Sequence, residues 1–123
     1  MDKNAKIETV LLVLPCLFST FDDYLAFVSL AEELLLLSGY EGIYQLATFH
    51  PNYCFSDVLE TDVSNYTNRS PYPMLHILRE SSIEKAIDYY GDTHQIPDNN
   101  IKTMHKLGLD KINTLLKHIT RSQ

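Results

Sequence analysis

The sequence predicts an α/β fold built on a βαβ unit, and three observations carry that expectation. A continuous apolar run over residues 9–14 (TVLLVL) stops at Pro15, and a second over 43–49 (IYQLATF) stops at Pro51. Between them Tyr24, Phe27, Val28, Ala31, Leu34 and Leu35 recur at helical spacing. At 123 residues the chain has room for one domain, at roughly 100–200 residues per domain.

The first run shows no polar alternation, which suits a parallel strand covered on both faces. The helix is expected over 21–37. Thr20 and Asp23 form a capping-box variant at its start, Asp22 and Asp23 suit the positive end of its dipole, and Gly39 ends it. Strands over 9–14 and 43–49 are then parallel, and their C-terminal ends open on one edge, where ligands bind in open α/β sheets. His50 occupies that edge. Two parallel strands make a poor sheet, because stable sheets need three or more. The expectation is therefore a small, incomplete sheet, finished by an upstream segment or by another subunit in a homo-oligomer.

Residues 52–68 form a long polar connection of the kind that is functional or mobile in a compact domain. Ser70-Pro71 then reads as an N-cap and first helical position, giving a helix over 71–80. A fresh capping box at Ser81-Ser82-Ile83-Glu84 starts another over 82–90, and two further helices are expected over 98–107 and 110–119.

The net charge of −6 argues against a general nucleic-acid binder, which needs surplus cations to displace counterions. The charge is uneven. Residues 1–63 hold ten Asp/Glu and two Lys/Arg, and residues 64–123 hold six and eight, so an anionic molecule is better received by the second half. Cys16 and Cys54 have no metal-type spacing, and no secretory leader is visible, which reads as a cytoplasmic chain with reduced thiols. Glu32 and Glu33 interrupt the apolar stretch before Gly39, so no membrane span is expected.

On a helix over 71–80, His76, Arg79 and Glu80 share one face, which reads as an anion pocket or as a solvated ion pair. Arg69 precedes a helix start, a natural anion site. The candidate residues are His50 and His76 as acid/base groups, and Asn65, Asn68, Arg69, Ser70, Arg79 and Glu80 as ligand-binding groups. Asn65, Asn68 and Ser70 also suit turns and caps. A Cys/His nucleophile pair of His50 with Cys16 or Cys54 is the less favoured chemistry, since buried cysteines mostly act as small hydrophobes. His94, His105 and His118 lack ligand spacing. A zinc site from His50, His76 and a cysteine has no local motif behind it, so no metal is indicated, and the cofactor stays open.

Three strings together carry a resemblance: Leu14-Pro15 with Phe21-Asp22-Asp23-Tyr24, then QLATFHPNYCF over 45–55, then NYTNRSPYPMLHILRE over 65–80. They resemble the bacterial and plant family called domain of unknown function 1415, over about residues 9 to 90. The resemblance implies no established reaction, cofactor or partner. It does imply that His50, Asn68, Arg69, His76 and Arg79 line a common site. Family members also carry an upstream Leu-Cys-Pro-Phe segment that has no match here, which implies a truncated member. Two functions follow as expectations: binding or conversion of a small anionic metabolite, or a non-catalytic interaction or oligomerising module.

Overall fold

The computed structural model describes residues 1–91 and 93–121. Its elements are β1 (Thr9–Val13), α1 (Phe21–Leu37), β2 (Tyr44–Phe49), a short 3-10 helix (Val63–Thr67), β3 (Met74–Arg79), α2 (Glu80–Tyr90), α3 (Ile96–Leu107) and α4 (Leu109–Arg121). The chain is mixed α/β. Among the described residues, no helix is long and apolar enough to cross a membrane.

The sheet has three strands in the order β1-β3-β2, with β3 antiparallel to both neighbours. This corrects the expected fold in two ways. No two neighbouring strands are parallel, although β1 and β2 still point the same way on either side of β3. The third strand also comes from within the chain, so the sheet does not require an upstream segment. Its source is the segment 71–80, expected as a helix.

The physical reason lies in the prolines. A residue before proline is pushed out of the α region, so Ser70-Pro71-Tyr72-Pro73 enters extended rather than as a helix start. The following MLHILR then alternates faces. Leu75 and Ile77 point with Leu46 toward α1, and Met74, His76 and Leu78 point away. The helix expected from residue 82 begins at Glu80, directly after the strand, with no side-chain cap on its N-cap Arg79.

Proline also ends the ladder. Pro15, Pro51 and Pro73 follow or precede the three strands at one edge, and none can donate to a ladder. The Leu14 N–H still reaches the Pro73 carbonyl at 2.9 Å, and pairing goes no further.

Helix α1 starts where the Asp23 N–H donates to the Thr20 hydroxyl at 3.2 Å, and Gly39 leaves it at φ +80. It buries Tyr24 and Val28 against Leu75, with Phe18, Phe21, Phe27, Ala31 and Leu46 around them. Burying a side chain such as Leu75 contributes about 1.5–3 kcal/mol.

Tyr24 does more than fill space. Its hydroxyl accepts the Phe49 N–H at 3.1 Å and donates to the Met74 carbonyl at 2.5 Å. Phe49, the last residue of β2, and Met74, the first of β3, form the end pair of their ladder. The phenol thus stands in for the terminal ladder bond and ties the helix to both strands. Burial pushes its pKa up from the ordinary value, while the Phe49 N–H acts in the opposite sense.

Tyr24→Phe leaves a strand-end donor and acceptor without partners, so it should lower unfolding free energy by about 1–3 kcal/mol in urea titrations. Because the folded pKa is raised, the unfolded chain loses this proton first. The linked stability is intact below about pH 10 and is lost as pH rises through the folded value. Comparing denaturation of the two proteins from pH 8 upward should therefore show a shallower alkaline decline in Tyr24→Phe.

Candidate functional site

At the proline edge the chain turns through residues 50–73, and there the polar side chains meet. His50 is fully buried between the rings of Phe21 and Tyr24, with centroids at 5.5 and 5.1 Å. Its Nε2 lies 2.8 Å from the Phe18 carbonyl, and its Nδ1 accepts the Asn52 N–H at 3.0 Å. One nitrogen must then donate and the other accept, which fixes the Nε2–H tautomer. Phe18 is held at φ +56, an uncommon conformation for a bulky residue, so His50 anchors a strained turn.

Asn65 is fully buried as well. Its Oδ1 accepts the Phe55 N–H at 3.0 Å and its Nδ2 donates to the Leu59 carbonyl at 2.8 Å, which closes the long connection into a loop. Asn68 closes the other side. Its Nδ2 donates to the Thr48 carbonyl at 3.0 Å, and its own carbonyl accepts the His50 N–H at 3.2 Å. The Ser70 hydroxyl donates to the Tyr72 carbonyl. Arg69 donates from Nε to Tyr53 and from Nη2 to Glu60, both carbonyls at 2.9 Å, and its guanidinium stacks 4.6 Å over the Tyr66 ring.

Five of the sequence candidates, His50, Asn65, Asn68, Arg69 and Ser70, therefore share one region. His76, Arg79 and Glu80 do not join them. His76 lies on the sheet face away from α1, where Nε2 makes a short hydrogen bond with the Thr9 hydroxyl. Arg79 ends β3 opposite Tyr44, five residues from Met74, or about 16 Å along the strand. There its Nη2 donates to the Met1 and Ile7 carbonyls at 2.9 and 3.0 Å, and its guanidinium lies 5.5 Å from the Tyr44 ring centroid. Asp2 joins this clamp by accepting from the Tyr40 and Tyr44 hydroxyls, whose hydrogen bonds hold its carboxyl below the ordinary value. Glu80 opens α2, and its N–H donates to the Ile43 carbonyl at 2.9 Å. A strand spreads these residues along two faces, where the expected helix would have gathered them on one.

A cleft of about 340 Å³ opens beside the loop, lined by Thr20, Phe21, Asp22, Asn52, Cys54, Glu60 and Arg69. A second, of about 480 Å³, lies between the loop and α3 and is walled mainly by Phe49, Phe55, Val58, Pro97 and Ile101. The Cys54 thiol donates to the Val58 carbonyl at 3.2 Å, and both His50 nitrogens are engaged elsewhere. Cys16 is exposed at the proline edge. Among the described residues, no three His, Cys, Asp or Glu side chains come together as a metal site.

Sequence reasoning missed Tyr24, Phe18, Asn52 and Glu60. Tyr24 looked like one more apolar position of a helix. The carbonyls of Phe18 and Glu60 and the N–H of Asn52 act as backbone, which leaves no signal in residue type.

Fold and site together define a three-stranded antiparallel α/β domain with a polar loop closed over one sheet edge. Residues 1–114 match the model for a protein family of unknown function, DUF1415, and the chain belongs to that family. The match begins at residue 1, so it lends no support to the expected loss of an N-terminal part of the family pattern. No curated protein and no solved structure matches the chain.

His50→Ala should unfold at lower denaturant, with a loss of about 2–4 kcal/mol, because it strands the Phe18 carbonyl and the Asn52 N–H and opens a cavity. Nitrogen-15 chemical shifts of the wild-type ring should report the Nε2–H tautomer. An Nδ1–H ring, or an alanine variant of undiminished stability, would contradict this anchoring role.

Proposed function

We propose that this domain binds a small polar metabolite carrying an anionic group, in the cleft between the start of α1 and Arg69. The observation that carries the reading is a held guanidinium and a helix N-terminus that line one cleft. Two backbone carbonyls and a ring hold Arg69, which removes most of the entropy a free arginine would lose on binding. Thr20, Phe21 and Asp22 line the same cleft, where the α1 dipole is positive and the Phe21 and Asp22 amides lack intrahelical acceptors. The volume sits at the low end of ligand pockets, which suits a small metabolite.

Asp22 and Glu60 line the same cleft, and a ligand with only negative charge would meet them unfavourably. The fitting chemistry is therefore a carboxylate or phosphate at Arg69, with a hydroxyl or ammonium group toward the two acids. Asn52 also lines the cleft.

The reading is one of binding rather than turnover. Both ring nitrogens of His50 are engaged by backbone groups, and it serves the cleft by holding the Phe18 turn and the Asn52 backbone. His76 faces the other side of the sheet. Asn65, Asn68 and Ser70 shape the loop that carries Arg69, and Arg79 and Glu80 play no part in the cleft.

Calorimetric titration should separate the contributions. Glutamate, which carries both charge types, should bind more tightly than succinate, and Arg69→Met should weaken it at least about tenfold, the usual scale for a charge-assisted pair. Asp22→Asn should narrow the gap between the two ligands. Failure of glutamate, succinate and inorganic phosphate alike to bind the folded wild type would overturn the proposal.

A further inference from the structure

We propose that β1 pairs with β1 of a second copy of this chain, antiparallel about a two-fold axis at Leu11, joining two three-stranded sheets into one of six strands. This inference is independent of the cleft reading and starts from the hydrogen-bond parity of the strand. The Leu14 N–H donates to Pro73 and the Arg79 N–H donates to the Glu8 carbonyl, so Glu8, Val10, Leu12 and Leu14 direct their backbone groups at β3. Thr9, Leu11 and Val13 direct theirs outward. Among the described residues nothing pairs with those amides and carbonyls.

The two edges of the sheet differ. The β2 edge is capped near its end by Asn68, which takes the outward Thr48 carbonyl and the outward His50 N–H. The β1 edge has no such cover and none of the features that block pairing. It contains no proline, no charge and no bulge over TVLLV, and Leu11, Leu12 and Val13 are 52, 40 and 43% exposed. A bare apolar edge of this kind is a template for another strand.

Self-pairing also has a register that satisfies every outward group. With Leu11 opposite Leu11 of the second copy, Thr9 falls opposite Val13, and the three residues exchange six N–H···O bonds across the axis. Val10 then falls opposite Leu12, so apolar side chains meet on both faces and no like charges are opposed.

The surface area points the same way. The chain exposes 8953 Å², against about 6,700 Å² for a compact monomer of 14.1 kDa, an excess of about 2,200 Å². A stable interface takes about 800 Å² from each partner, so the excess is ample for one.

Light scattering on the eluting wild-type chain should give twice the 14.1 kDa chain mass at micromolar concentration. Leu11→Lys, a charge placed on the axis, should give the single-chain mass with unchanged far-UV dichroism. In the wild type, amide exchange at Leu11 and Val13 should be slowed at least about a hundredfold relative to an unstructured peptide, as expected for paired strands. A single-chain mass for the wild type, or free exchange at those two amides, overturns the proposal, as does a Leu11→Lys protein that remains dimeric. Should Leu11→Lys fail to fold, mass and exchange of the wild type decide alone.

Discussion

The rest of the structure depends on β3 lying between β1 and β2, and one phenol secures its entry. Strands β1 and β2 are joined by a helix and cannot pair with each other while β3 separates them. The Tyr24 hydroxyl bridges the last residue of β2 and the first residue of β3 from the underside of that helix. Core packing, the ends of the ladder and the start of the polar loop all meet at this point. His50 is the next residue after the bridge, buried against the Tyr24 ring itself.

From there the chain reuses a single device. A loop as long as the 52–68 connection would expose many backbone groups or bury them unsatisfied. The side chains of His50, Asn65 and Arg69 each take two backbone partners, and Asn68 takes one through its side-chain amide and one through its own carbonyl, so that together they close the loop. Among the described residues, no buried side-chain polar atom lacks a partner. The loop is consequently a rigid platform, and Arg69 reaches the cleft as its fixed member. The sequence strings that stand out chemically are first of all the ones that build this platform. Ligand recognition is proposed for what they leave free.

Much of the fold was legible because local signals were strong. The helix over 21–37 carries an N-cap threonine, a helical apolar stripe and a terminal glycine; the cap and the glycine appear in the structure, and the stripe packs through Tyr24, Phe27, Val28 and Ala31 whereas Leu34 is exposed. The first two strands were legible from apolar runs closed by prolines. The third was not. MLHILR has apolar residues at positions compatible with either period, and a six-residue run cannot be assigned by periodicity alone. Pro71 suits a first helical position, although the second proline at 73 imposes an extended entry. Taken as a helix, this segment leaves β1 and β2 as parallel neighbours, removes the centre of the sheet and gathers His76, Arg79 and Glu80 onto a helix face that does not exist. The candidate site was half legible for the same reason. His50, Asn65, Asn68 and Arg69 were visible by type, whereas their partners are mostly backbone groups, which no residue type announces.

The most direct test is the placement of β3, read from proton–proton proximity in solution. In the antiparallel register, Thr48 faces Leu75 and Leu11 faces His76 as pairs whose backbone groups point away from each other. Their α-protons should give strong cross-strand Overhauser contacts, with β-type carbon shifts along residues 74–79. Contacts between residues three apart within that segment, with helical carbon shifts and no cross-strand pairs, would contradict the account.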